Sequence, residues 1–299
     1  MFPKNPLEAA AVIAEWSEYF RGGPANDLGR PAGPPEPAFG HHLLGFAAGD
    51  DPFWKKLQKI SPGHFTPLEA FSYGYPDEKV EASDLSVLCW VLPQTEATLG
   101  DQRKSVDWPC ERWVRSRFHG QKEVIEKLAE FILERLRDSG VQAVIPDHLS
   151  QWRQGDSIPV SSPWSHRHVA FAAGLGTFWL CDGLITPLGK AVRLLSVVAR
   201  HHFPVTERKY SEAYEYCLYH SSGTCAVCVK RCPRGAISKE KGHDKVKCRA
   251  FLDNEIMTYV SENWADLKGA YGCGLCQSAV PCERSIPGRQ PKARPVLQR

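Results

Sequence analysis

Eight of the eleven cysteines in this 299-residue chain stand within its last 83 residues: Cys217, Cys225, Cys228, Cys232, Cys248, Cys273, Cys276 and Cys282. Eight thiolates make two sets of four, the number that two cubane 4Fe-4S clusters require. That reading implies electron transfer in a reducing compartment. A disulfide framework is not expected. Residues 1–5 lead straight into an amphipathic helix, with no apolar core and cleavage site. No run of 18 or more apolar residues exists to span a membrane. The expected setting is cytoplasmic, where thiols stay reduced.

Spacing narrows the chemistry. Cys225-AV-Cys228-VKR-Cys232-Pro233 reads C-x2-C-x3-C-P, the end of the bacterial ferredoxin run. The first cysteine of that run falls on Ser222, and Cys217 is the substitute upstream. Cys273-GL-Cys276-QSAVP-Cys282 forms the second group, with Cys248 alone between the two. Structural zinc also uses paired C-x2-C sites, but it explains neither the cysteine–proline step nor the total of eight. In two-cluster ferredoxins the cysteine before the proline serves the other cluster. By that logic Cys217, Cys225, Cys228 and Cys282 hold one cluster, and Cys232, Cys248, Cys273 and Cys276 the other. Lys230, Arg231, Arg234, Lys239, Lys241, Lys245, Lys247 and Arg249 crowd this region. They read either as a dock for an acidic electron donor such as ferredoxin or flavodoxin, or as a solvated charged face.

Length predicts about two domains, and 42% apolar residues support a core. A net charge of +3 is too small to argue for nucleic acid. Helical periodicity runs through residues 7–20, and a short helix is expected over 52–60. Residues 85–92 read as a buried strand ended by Pro93. A strong amphipathic helix spans 121–138, with Val124, Leu128, Phe131, Ile132 and Leu136 inward. Strands follow at 141–146 and 191–199, with a helix over 165–173 between them. Helix-then-strand order suggests an α/β layer, and a linker is expected near 203–212. Gly174 and Gly176 flank a tight turn where backbone can approach a ligand. His166 and His168, two apart, cannot share one helix face. Cys89, Cys110 and Cys181 read as small buried residues.

Trp164-SHRH, Ala173-GLGTF, Gly183-LIT, the cysteine run ending in CP-x-GAI and the CGLCQ-x3-PCE ending together resemble epoxyqueuosine reductase. More closely they resemble uncharacterised double-cluster proteins related to it, over most of residues 45–287. The reductive dehalogenases are similar at greater distance. The resemblance implies an α+β fold: a nitroreductase-like α/β domain over residues 1–205, then a ferredoxin-like two-cluster domain over 206–299. It implies cobalamin between them, with the turn Gly174, Leu175, Gly176 and Thr177 in its pocket and electrons passing to a small-molecule substrate. The alternative is an electron-transfer protein with both clusters and no corrinoid. The proton-donating aspartate of epoxyqueuosine reductase aligns with Val160, with Asp156 near in sequence. No D-x-H-x-x-G cobalt-ligating motif exists. With no helical-repeat domain expected, nucleic acid is not an expected partner.

Overall fold

The computed structural model describes residues 2–152 and 162–288. Val160 and Asp156 lie outside them. A four-stranded sheet carries the first two-thirds of the chain. Its strands are β1 (Leu43–Ala48), β2 (Ser86–Pro93), β3 (Ala143–Val144) and β6 (Val192–Ala199). Two short strands, β4 (Thr177–Phe178) and β5 (Leu184–Ile185), form a separate hairpin. The sheet order is β1-β2-β6-β3, and every pairing is antiparallel. The fold is therefore mixed helix and sheet, with an antiparallel layer in the first two-thirds of the chain.

The unbroken apolar run of β2 has a direct cause. Leu88, Trp90 and Leu92 enter one core, together with helix Pro6–Gly22 and Leu128, Ile132 and Leu136. Val87, Cys89 and Val91 enter a second core on the other face, with Trp54, Phe71, Trp164 and Val169. A central strand covered on both faces loses the alternation of a half-exposed one. Cys89 is a buried core residue, as expected.

The helix expected at 121–138 begins earlier. Glu111–His119 runs through a π-helical turn, Gly120–Ile125, into Glu126–Asp138. Cys110 caps its start through Sγ, which accepts from Trp113 N at 3.4 Å. The first third is polar and yet partly buried. Arg115 explains this: it is buried, yet donates to Gly29 O at 2.8 Å and pairs with Asp266 at 2.7 Å. Of the five expected inward residues, Phe131 is only partly buried.

Residues 203–212 do not behave as a free linker. Thr206 N donates to Phe46 O at 2.9 Å, Arg208 pairs with Asp51, and Tyr210 Oη donates to Phe171 O at 2.5 Å. Beyond them the chain folds as short helices and turns around the cysteines. β7 (Ile237–Ser238) pairs there with β8 (Gly242–His243). Trp179, Leu180 and Ile185 share one apolar cluster with Cys217, Cys228, Ile237 and Val280. Val114 shares another with Phe251, Ile256 and Val260.

Candidate functional site

The cysteines line two spaces. A small one is walled by Cys217, Cys225, Cys228 and Cys282. Cys232, Cys248, Cys273 and Cys276, together with Cys181, line a cavity of about 530 Å³. Local structure explains the placement. Cys217 precedes helix Leu218–Ser222, and Cys228 sits inside the single turn Val227–Lys230. Cys248 lies on helix Lys245–Ala250, and Cys276 on a 3-10 turn whose first cap, Gly274, is left-handed. Ala236 N donates to Cys232 Sγ at 3.1 Å.

Among the described residues, no group of three or more His, Cys, Asp or Glu side chains is placed to hold a metal ion.

Lys190 lies between the two cysteine groups and lines both spaces. It is 3% exposed, and its Nζ has no hydrogen-bond partner. The ammonium sits 3.2 Å from the centre of the Trp179 ring. A desolvated cation costs several kcal/mol, and an indole face returns roughly 2 kcal/mol of that. The deficit calls for nearby negative charge, which thiolate-bound clusters would supply. Burial pushes the Cys228 thiol up to about 11, with the Lys190 charge opposing. Cys181, expected to be a bystander, is buried with its Sγ 3.9 Å from Cys276 Sγ. The Cys181 hydrogen bond draws Cys276 below the usual thiol value, while burial holds Cys181 well above it.

The larger cavity has indole walls from Trp113, Trp164 and Trp179, and a polar corner from Asp147 and His166. His166 Nε2 donates to Asp147 Oδ2 at 2.8 Å, and His166 Nδ1 meets Ser196 Oγ at 2.8 Å. Ser196 Oγ also accepts from Trp164 Nε1 at 2.9 Å. A carboxylate oxygen can only accept, so the ring carries a proton on Nε2 toward Asp147 while Nδ1 faces the Ser196 hydroxyl. Asp147 Oδ1 is buried without a partner. Arg193 also lines the cavity, its Nε buried and unpartnered. Indole walls beside charged side chains that include Arg117, Arg167, Arg193 and His243 fit a flat ligand with polar edges. With both ring nitrogens engaged, His166 has no lone pair to give a metal.

Several expectations land elsewhere. Gly174, Leu175, Gly176 and Thr177 do not line the cavity. Leu175 and Thr177 are buried. At Gly174 (φ +71°) a Cβ would stand 2.8 Å from Glu207 O and 3.0 Å from Thr206 O. The glycine admits the chain's own backbone there, so protein fills the space that a ligand was expected to occupy. His168 faces away from His166, as their spacing required. Its Nδ1 meets Ser165 Oγ at 2.8 Å, and burial lowers its pKa to about 4.

The basic cluster is also divided. Arg231 binds the carbonyls of Leu275 and Ser278, both at 3.2 Å. Arg234 pairs with Glu255, Arg249 with Asp253 and Lys245 with Asp182. Lys230, Lys239, Lys241 and Lys247 are exposed.

Lys190, Trp179, Arg193 and the Asp147–His166 pair were not picked out from sequence. A lysine and an arginine among the apolar residues that lead into and through β6 were the available signal.

No family model matches the chain. It resembles curated epoxyqueuosine reductases at low identity. It is 26% identical to that of Bacillus anthracis over 168 residues, which is 55% of this chain and 38% of the relative. It is 28% identical to that of Cellulophaga algicola over 184 residues, 59% of this chain and 52% of the relative. It is 24% identical to that of Staphylococcus aureus over 252 residues, 82% of this chain and 56% of the relative. The chain thus spans less than two-thirds of the length of these relatives. Its fold is similar to that of the catabolic reductive dehalogenase NpRdhA, solved in complex with 3-bromo-4-hydroxybenzoic acid. The TM-score is 0.55 at 16% identity, covering 95% of this chain and 33% of that one. No helix among the described residues is long and apolar enough to cross a membrane.

Proposed function

We propose that the chain is an iron–sulfur oxidoreductase. In this reading Cys217, Cys225, Cys228 and Cys282 hold one 4Fe-4S cluster. Cys232, Cys248, Cys273 and Cys276 hold a second, and residues from about 206 onward form the cluster-bearing unit. The carrying observation is that each set of four lines its own space, with the second set on the wall of the larger cavity. Clusters bound there would supply single electrons to an acceptor in that cavity.

The acceptor favoured by the epoxyqueuosine reductase resemblance is a corrinoid working on a small molecule. Bound there, it would supply a low-potential metal centre. The chain's own residues have defined tasks. Trp113, Trp164 and Trp179 bound the cavity and exclude water. Asp147 and His166 hold a proton at His166 Nε2 on its wall, where a reduction that consumes protons could use it. A second reading, an electron carrier without corrinoid, is favoured by one observation: the 174–177 turn is packed against protein. A soluble donor such as ferredoxin or flavodoxin would meet the exposed lysines in either case.

Anaerobic reconstitution followed by iron, sulfide and cobalt analysis tests both. About eight irons per chain are expected. Cobalt near one per chain after incubation with hydroxocobalamin supports the reductase, and eight irons with no cobalt uptake support the carrier. Iron well below eight refutes the two-cluster assignment.

A further inference from the structure

We infer that Lys190 is the shared counter-ion of the two cysteine sets, and that its charge sets how readily both clusters accept an electron. The inference rests on the proposed cluster assignment. Among the described residues Lys190 is the one buried lysine. Among the described residues it forms no ion pair with a carboxylate, and its Nζ has no hydrogen-bond partner. It nevertheless lines both cysteine spaces, so the charge that it lacks must come from what those spaces hold.

Its position is built rather than incidental. Lys190 N donates to Cys282 O at 2.9 Å, which ties the lysine to the first set through the main chain. The preceding Gly189 (φ +81°) lies so close to the Glu283 backbone that a Cβ would collide with it. Thr186 Oγ1 donates to Gly189 O at 2.8 Å and closes the turn. The Trp179 face then supports the ammonium from one side. Reducing a cluster adds one electron and one negative charge, with no bond made or broken. A fixed cation in a low-dielectric gap stabilises that extra charge more than it stabilises the oxidised form. Because Lys190 borders both spaces, its effect reaches both clusters. It acts through the clusters and is a positioning residue.

The test is a redox titration followed by electron paramagnetic resonance on reconstituted parent, Lys190→Met and Lys190→Arg chains, with iron measured in each. Methionine keeps the length and removes the charge. At a fixed solution potential the ratio of reduced to oxidised cluster should fall at least tenfold in Lys190→Met for both signals. That corresponds to about 59 mV for a one-electron couple. Lys190→Arg should recover most of it. If both neutral variants Lys190→Met and Lys190→Gln lose iron from a folded chain while Lys190→Arg keeps it, the charge requirement is equally supported. An unchanged ratio at either cluster in Lys190→Met overturns the inference, as does an arginine variant that behaves like methionine. A parent chain that binds no iron overturns the cluster assignment itself, and iron analysis reads that separately.

Discussion

Gly274→Ala should cost far more than its single methyl suggests. Gly274 lies between Cys273 and Cys276 at φ +60°, a left-handed conformation. An L-residue there costs about 1–2 kcal/mol. A Cβ would also run into the Trp113 indole at Cε2, Cζ2 and Nε1. Trp113 is 1% exposed and cannot swing into solvent. Overpacking a filled site adds about 1–3 kcal/mol. The two together give about 2–5 kcal/mol. Gly223→Ala is the control: its φ is +70°, but nothing lies within 4 Å of the added carbon. It should cost only the conformational part, about 1–2 kcal/mol. Urea unfolding of the two variants reads the difference. With a slope of about 3 kcal/mol per molar, the Gly274 midpoint should fall by about 0.7–1.7 M. Trp113→Phe shortens the ring system and should relieve part of the clash, so the double variant should be less impaired than the sum of the singles. Equal midpoints for Gly274→Ala and Gly223→Ala would refute the argument, because the indole would then not be what fills the space.

Three further outcomes are expected. Cys276→Ser should lower iron per chain while Cys181→Ser leaves it at the parent value; equal losses would make Cys181 a ligand. His42, whose pKa burial lowers to about 4 from an ordinary 6.5, binds its proton more readily in the unfolded chain. Its stabilising contribution is full above pH 6.5 and falls as the pH drops toward 4. The loss between pH 6.5 and 5 is about 1–1.5 kcal/mol, and His42→Gln should flatten that slope in a denaturation series. Thr66→Ala removes a capping box in which Glu69 N donates to Thr66 Oγ1 at 3.2 Å and Thr66 N to Glu69 Oε2 at 2.7 Å; it should lower stability by about 1 kcal/mol in thermal or urea unfolding.

Much of the first segment was readable because its signals are local. The run at 85–92, the periodicity at 7–20 and the Asp51-Pro52 start of helix Pro52–Ile60 each sit within one element. Glu111–His119 was not readable, since its burial of Arg115 depends on partners 86 and more residues away. The packing of residues 203–212 was not readable for the same kind of reason. Its polar residues bond to Phe46, Asp51 and Phe171, which no sequence window contains.

What the sequence determined by itself is the close spacing of the cysteines, because short loops hold C-x2-C pairs together and proline ends a turn whatever surrounds them. Tertiary structure alone decided what stands beside those thiols. It buried Lys190 between the two sets, brought Asp147 in the 3-10 turn Pro146–His148 to His166 at the start of a later helix, and packed the 174–177 turn under backbone from residues 206–207. Each of these depends on long-range burial, where a charge or a glycine takes its meaning from the neighbours that folding brings to it.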